Sequence, residues 1–277
     1  MSDFISAYRK NYSCESTLLR LTDDWRAGLD NKEVVAVISL DLSKAFDCVP
    51  HDLLLAKLKA YGVAEHGVAL LRNYLTRRSQ RVKVGDKFSF WMPVIKGVPQ
   101  ESVLGPLFFN VFMNDLFYFV KGVCTNAYAD DEQIYDSDKD PVKLETRVQS
   151  QLLEADHWFG MNGMITNPDK YQAMILGNTN YTFSFTVNDI NIPVKDNIDL
   201  FGVNIDKNLQ FNSHVKNIYT KVNNQVTVIS RFRKIVPTAV KCKLYKAFIF
   251  PYFRYCSAVW HFCGARNRDK SNQGRES

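Results

Sequence analysis

The chain contains no apolar run of about 18 residues, so nothing in it reads as a membrane span. Its first residues, Met1-Ser2-Asp3-Phe4, lack the charged-then-apolar layout of a secretory leader. It shows no internal repeat and no low-complexity tract. The six cysteines (14, 48, 124, 242, 256 and 263) form no Cys-x-x-Cys pair, which argues for reduced thiols in an intracellular protein rather than a disulfide framework. Cys256, His261 and Cys263 lie close in the chain, but no fourth ligand accompanies them, and a zinc centre is not expected there. What remains is the composition of an ordinary globular protein, 46% hydrophobic and 23% charged, and 277 residues suffice for one large or two medium domains.

Charge is distributed unevenly. From Val215 onward there are thirteen Lys and Arg against two acids, Asp269 and Glu276, whereas the preceding 214 residues carry 22 bases and 27 acids. An acidic body followed by a basic module suits a protein that grips a phosphate backbone beside a metal site. The plainer reading of such a charge run is a solvated helical surface.

The acidic residues that matter most are adjacent. Tyr128-Ala129-Asp130-Asp131 sits between two strand-like stretches and reads as a β-hairpin whose tip carries Asp130 and Asp131. An Asp-Asp tip alone is usually turn chemistry. A third carboxylate changes the reading: Val34-Val35-Ala36-Val37-Ile38-Ser39-Leu40 is a β-branched apolar run of strand length, and Asp41 ends it. Its near-continuous apolarity suggests a central strand covered on at least one face. If Asp41 meets Asp130, the two repel each other unless a divalent cation lies between them. Hard carboxylate oxygens without a basic partner suit Mg²⁺, and two such ions about 3.5–4 Å apart suit nucleotidyl transfer to a 3′-hydroxyl.

The rest of the chain supplies a mixed scaffold. Ser16 is the expected cap of a helix through Thr17–Trp25, and amphipathic helices are expected over 52–61 and 67–75. Residues 81–90 alternate about Gly85-Asp86 as a hairpin. A Gly- and Pro-punctuated loop, 96–106, then feeds an apolar helix over about 107–120. A further helix is expected from Asp140-Pro141 to about Asn162, short strands over 173–176, 183–187 and 200–206, and helices over 215–235 and 238–250, the last ended or kinked by Pro251.

In this order the pieces resemble the reverse transcriptases of non-LTR retrotransposons, the LINE-type and especially the Jockey-like ones, over nearly the whole chain. Leu40-Asp41-Leu42-Ser43-Lys44-Ala45-Phe46-Asp47 resembles the family's first catalytic motif. Gly97-Val98-Pro99-Gln100 with Ser102-Val103-Leu104-Gly105-Pro106 resembles the second, and Tyr128-Ala129-Asp130-Asp131 the Phe/Tyr-Ala-Asp-Asp box. Asn162-Gly163 with Asn167-Pro168-Asp169-Lys170 resembles the next motif, Leu200-Phe201-Gly202-Val203 the primer-side one, and Tyr252 to Trp260 the thumb segment.

The resemblance implies an α+β right-hand polymerase: a palm with a ferredoxin-like antiparallel sheet and helices, partial fingers, and a helical thumb. Residues 1–206 would form fingers and palm, and 207–277 a basic thumb with a frayed tail. It implies two Mg²⁺ ions, or Mn²⁺ in their place, ligated by Asp41, Asp130 and the Leu42 carbonyl, with Asp131 completing the acidic cluster. Phe46 would exclude a ribose 2′-hydroxyl, or else is a core phenylalanine. Gln100 would contact the incoming nucleotide or template, and Lys170 the triphosphate, protonating pyrophosphate. Arg9 falls in a fingers motif. An RNA template, a DNA primer and a dNTP are the implied partners, with no membrane, in the nucleus and cytoplasm.

Two departures stand out. Glu101 occupies a position where the family has Gly, which allows positive φ and close approach of substrate, and Glu132 stands where it usually has Thr. The chain also begins inside the fingers, so an upstream fingers segment and an endonuclease are expected to belong to the parent element. The alternative to an active polymerase is a catalytically inactive remnant that still binds nucleic acid. A nucleotide cyclase on a similar palm is disfavoured by the basic thumb and the 97–106 loop.

Overall fold

Val34–Asp41 is the strand on which the sheet is laid. The structure, a computed structural model, describes residues 1–231 and 235–260. Strand Val34–Asp41 lies between Asp131–Asp138 on one side and Gln172–Leu176 on the other, and Cys124–Tyr128 pairs with the outer edge of Asp131–Asp138. Every neighbouring pair is antiparallel. In chain order the strands stand 2-3-1-4, with helical connections after the first and third. That is the expected ferredoxin-like sheet.

Both faces of this sheet are covered, which explains the unbroken apolarity of the central strand. Val34, Ala36, Ile38 and Leu40 face a core with Leu54, Phe109, Phe112, Leu144 and Trp158, drawn from helices His51–Ala60, Leu104–Met113 and Pro141–Met161. Val35 and Val37 point the other way, to Leu18, Leu21 and Trp25 of helix Cys14–Asp30 and to Phe211, Val215, Phe253 and Trp260. Each large side chain buried this way contributes about 1.5–3 kcal/mol. Truncating Phe112, fully buried, would cost about 3–5 kcal/mol.

Several sequence expectations shift. The first helix is capped by Ser13, not Ser16. The Ser13 hydroxyl accepts the Ser16 N–H and the Ser16 hydroxyl accepts the Ser13 N–H, so Ser16 is the third helical residue of a capping box. The helix expected over 107–120 begins at Leu104, ends at Met113 and resumes only as Leu116–Phe119. Asn114 and Asp115 tie down the break: Asn114 Nδ2 donates to the Tyr61 hydroxyl at 2.7 Å, and the buried Lys57 Nζ donates to Asp115 Oδ1 at 2.7 Å and to the Phe112 carbonyl at 2.9 Å. Burial lowers the Lys57 pKa, and its hydrogen bond to Asp115 opposes that shift.

The expected strand over 200–206 is instead the hairpin Asn197–Leu200 with Val203–Asp206. Phe201 (φ +50°) and Gly202 (φ +76°) turn it, both left-handed as a type I′ turn requires. The 183–187 strand starts at Phe185 and pairs with Ile190–Ile192. Helix Asn212–Arg231 covers the expected helix from 215 to 231, and residues 232–234 of that expectation lie outside the described residues. Thr238–Phe248 stops before Pro251, which opens a new short helix, Phe250–Arg254. The described cysteines are all free thiols; His261 and Cys263 lie outside the described residues. Among those residues no helix is long and apolar enough to cross a membrane.

Candidate active site

The strand register brings the three carboxylates together. Asp41 is the direct partner of Asp131, at the last pair of the Val34–Asp41 and Asp131–Asp138 ladder. Directly opposed Cα atoms in such a ladder lie about 4.5–5.5 Å apart, and Asp130 is one peptide, about 3.8 Å, further on. Asp130 and Asp41 therefore lie within about 10 Å of each other. The hairpin differs from expectation in one detail: Tyr128 pairs with Asp131, so the turn is Ala129-Asp130 and Asp131 opens the returning strand. Ala129 takes φ +59°, the left-handed conformation that the first residue of such a tight turn demands.

Partial burial, then repulsion from Asp130 and from Asp41, pushes Asp131 up to about 6. Its surface area is that of an exposed residue, so the crowding acts locally on the carboxyl rather than by enclosing the whole side chain. Behind it Glu132 is buried, pointing to the opposite face beside Leu40, and burial raises its pKa well above the usual carboxylate range. A neutral carboxylic acid is the form that this environment favours.

Lys170 reaches the same cluster. Residues 165–167 run beside 41–43, with the Ser43 N–H donating to the Ile165 carbonyl at 2.9 Å and the Asn167 N–H to the Asp41 carbonyl at 3.3 Å. The 3₁₀ turn Pro168–Lys170 then carries Lys170 Nζ to 3.1 Å from Asp41 Oδ2. Neither backbone bond uses the Leu42 carbonyl, while the Leu42 side chain is buried.

Phe46 is held from below by a stacked ring, Phe109, at 4.4 Å and 17°, and from the side by Tyr8 at 6.3 Å, edge-on. It is partly buried against the core, so packing positions it. Burial, and secondarily the charge of Asp130, raises the Tyr8 pKa, which places that phenol near the carboxylates. Arg9 turns inward: its guanidinium donates to the Ser2 carbonyl at 2.7 Å and the Ile5 carbonyl at 2.9 Å, bracing the N-terminal segment.

Gln100 is fixed by Asp47, Nε2 donating to Oδ1 at 2.8 Å. The loop that carries it is locked at both ends by glycine. A Cβ on Gly97 (φ +91°) would lie 2.8 Å from the Asp47 Cα, and one on Gly105 would lie 2.6 Å from the Pro99 carbonyl oxygen. His51 Nε2, buried, is 2.7 Å from the Gly97 carbonyl oxygen. Between these anchors Glu101 takes φ +57°, a conformation that costs a residue with a Cβ roughly 1–2 kcal/mol. The backbone here retains the shape that glycine would suit.

The sequence did not point to His51, Asp47 or Tyr8. Asp47 lies inside the first motif, six residues after Asp41, which is the one signal that could have found it. The Phe201-Gly202 turn also comes close, with Phe201 4.8 Å from the Tyr128 ring and its carbonyl accepting from the Tyr255 hydroxyl at 2.7 Å.

Among the described residues no group of three or more His, Cys, Asp or Glu side chains is arranged to hold a metal ion by itself. Mg²⁺ asks for less: it keeps waters and takes one or two carboxylates together with substrate phosphates. The mutual repulsion of Asp41, Asp130 and Asp131, with a single lysine on their rim, fits such an ion.

Residues 1–205 match the reverse transcriptase (RNA-dependent DNA polymerase) family. The chain is 25% identical to the probable RNA-directed DNA polymerase from transposon BS of Drosophila melanogaster, covering 98% of this chain and 31% of that one. It is 24% identical to the RNA-directed DNA polymerase from mobile element jockey of the same fly, covering 96% of this chain and 30% of that one. It thus spans about a third of the length of the curated relatives it matches. Telomerase from Candida albicans, solved with a TWJ fragment of telomeric RNA, shares the fold with a TM-score of 0.51 at 12% identity, covering 97% of this chain and 51% of that one. The sheet is the palm of a right-hand polymerase, and the chain belongs to the reverse transcriptase (RNA-dependent DNA polymerase) family, in its non-LTR, LINE-type branch.

Proposed function

We propose that this chain carries out RNA-directed DNA synthesis, transferring a nucleotide from a dNTP to the 3′-hydroxyl of a DNA primer on an RNA template. The observation that carries the reading is the register that sets Asp41 opposite Asp131, with Asp130 on the adjoining turn. Asp41, Asp130 and the Leu42 carbonyl would hold two Mg²⁺ ions, or Mn²⁺, which when bound would supply positive charge to the attacking oxygen and the departing pyrophosphate. The primer 3′-hydroxyl releases its proton to solvent water as its oxygen forms a bond to the α-phosphorus, and the bond to pyrophosphate breaks. Lys170 gives a proton to the pyrophosphate, a reading supported by its exposed ammonium 3.1 Å from Asp41 Oδ2. Phe46 bears on the sugar and selects against a 2′-hydroxyl, its ring backed by Phe109 so that it cannot retreat. Gln100, aimed by Asp47, contacts the incoming nucleotide or the template base.

Residues 1–206 act as partial fingers and palm, and 207–277 as the basic thumb that follows the duplex backbone. The activity belongs inside the cell, in nucleus and cytoplasm, within a longer element protein that adds upstream fingers and an endonuclease. The test is primer extension on poly(rA)/oligo(dT) with dTTP and Mg²⁺, using this chain and its Glu101→Gly variant. Template-dependent extension is expected, and more of it from the variant. Duplex binding without extension by either protein would overturn the reading in favour of an inactive nucleic-acid-binding remnant.

A further inference from the structure

Every residue from 77 to 93 is exposed. This stretch leaves the body after helix Glu65–Leu75 and returns to it beside the Gln100 loop as a two-stranded ribbon, Ser79–Gln80 against Met92–Pro93 and Lys83–Val84 against Lys87–Phe88. Lys83 faces Phe88 whereas Gln80 faces Met92, so residues 81–82 oppose three residues, 89–91. That extra residue is a bulge, which bends and twists the ribbon. A lone ribbon of this kind is marginally stable in water, and this one spends its large side chains on solvent. Phe90 is 90% exposed, Trp91 61% and Phe88 50%.

Its charge is equally one-sided. Between Thr76 and Lys96 there are six Lys and Arg and a single acid, Asp86, in a region whose wider context is net acidic. The bases and rings share a surface: the Arg81 guanidinium lies 3.9 Å from the Phe88 centroid and 4.6 Å from that of Trp91, and Lys83 lies 5.4 Å from Phe88. At its base the ribbon opens into a cleft lined by Lys44, Arg78, Gln80, Lys96 and Gln100, with Asp47 as its one carboxylate, so three bases lead from the ribbon to the loop of the candidate active site.

From this geometry we infer that the 77–96 ribbon is a binding platform for single-stranded RNA, with bases stacking on Phe90 and Trp91 and phosphates running along Arg81, Lys83 and Lys87 toward the Gln100 cleft. Exposed rings and cations interspersed along one ribbon match a flexible polyanion with unpaired bases. A protein-docking patch would present its large apolar groups with fewer interspersed charges. Naming the strand as the uncopied template rests on the polymerase reading; the binding itself does not.

The test uses labelled oligo(rU) and the full chain without primer, dNTP or divalent ion, so its result is separate from any failure to extend a primer. Trp25, Trp158 and Trp260 are buried, which leaves Trp91 as the exposed one of the four tryptophans. Oligo(rU) should therefore quench the acrylamide-accessible part of the fluorescence. Phe90→Ala/Trp91→Ala should weaken binding at least tenfold, since stacking on one aromatic is worth about 1–3 kcal/mol per base. Lys83→Ala/Lys87→Ala should flatten the dependence of log affinity on log salt by about 1.4, at about 0.7 per lost phosphate contact. Oligo(rU) affinity within twofold of wild type for the ring variant would overturn the inference. So would a ring variant whose only change is loss of self-association in sedimentation, because the rings would then belong to a contact between copies.

Discussion

Asp41 and Asp131 face one another across a single rung of the central sheet, ninety positions apart in the chain, and the charge they share with Asp130 has a measurable consequence. Crowded in this way, the Asp131 carboxyl is held up at about 6, first by partial burial and then by its two acidic neighbours. The folded chain therefore binds this proton more tightly than the unfolded one. The associated stability is present below the ordinary carboxylate range and is lost as pH rises through about 6. In the absence of divalent ions, the urea midpoint of wild type relative to Asp131→Asn should fall between about pH 4 and pH 6. A constant difference across that window would show that the three acids do not interact.

Lys170 is the next position to test. Its ammonium lies on Asp41, and general acid catalysis by a placed side chain typically contributes about 10²–10⁴-fold. Lys170→Ala should lower kcat by about two orders of magnitude with little change in KM for dNTP. Lys170→Arg, which keeps the charge but gives up its proton less readily, should likewise leave KM near wild type and fail to restore kcat. A rise in KM alone would make Lys170 an electrostatic anchor and not a proton donor.

Glu101 carries backbone strain and a negative charge at one position. Glu101→Gly relieves the left-handed conformation, worth roughly 1–2 kcal/mol, and gives back about 0.5–1 kcal/mol in unfolded-chain entropy. The net gain should be small, up to about 1.5 kcal/mol in urea unfolding, while extension rises because a carboxylate leaves the Gln100 loop. Gly97→Ala should do the opposite, since its Cβ meets backbone at Asp47 with no flexible atom to yield. Unchanged extension in both variants would separate this loop from catalysis.

The helix Asn212–Arg231 has its own pH dependence. His214 is buried with Trp260 at 6.0 Å, and its Nδ1 accepts the Asn204 N–H at 3.3 Å. Burial, against the opposing pull of Asp199, drives its pKa down to about 4. Here the unfolded chain binds the proton more tightly, so stability is full above the ordinary histidine value of about 6.5 and is lost as pH falls through about 4. The loss is on the order of 3 kcal/mol, and near-UV circular dichroism at pH 7 and pH 4.5 should register it. His214→Gln should abolish that component, and an identical acid response in the variant would rule it out.

Much of the frame was legible because its signals are local and repeat with a fixed period. The β-branched run ending at Asp41 and the apolar stripe after Asp140 each specify one element with one buried face or two. What escaped depends on distant partners. Ser13 and Ser16 are equivalent as caps until the reciprocal bonds select one. The helix break at Asn114 is set by Tyr61 and Lys57, more than fifty residues away. The 200–206 stretch reads as one strand because nothing but Gly202 announces a turn that also places Phe201 at positive φ. At the site, the acidic residues were evident as types, whereas the Gln100–Asp47 bond and the His51 anchor exist only once the loop has folded back.

Single-turnover extension of an RNA-templated primer by wild type and Asp130→Asn, with template–primer affinity measured alongside, bears most directly on the claim that these carboxylates perform the transfer. The expected result is a fall of at least about a thousandfold in rate, of the order seen when a principal electrostatic contributor is removed, at unchanged affinity. Extension by Asp130→Asn at the wild-type rate would contradict it.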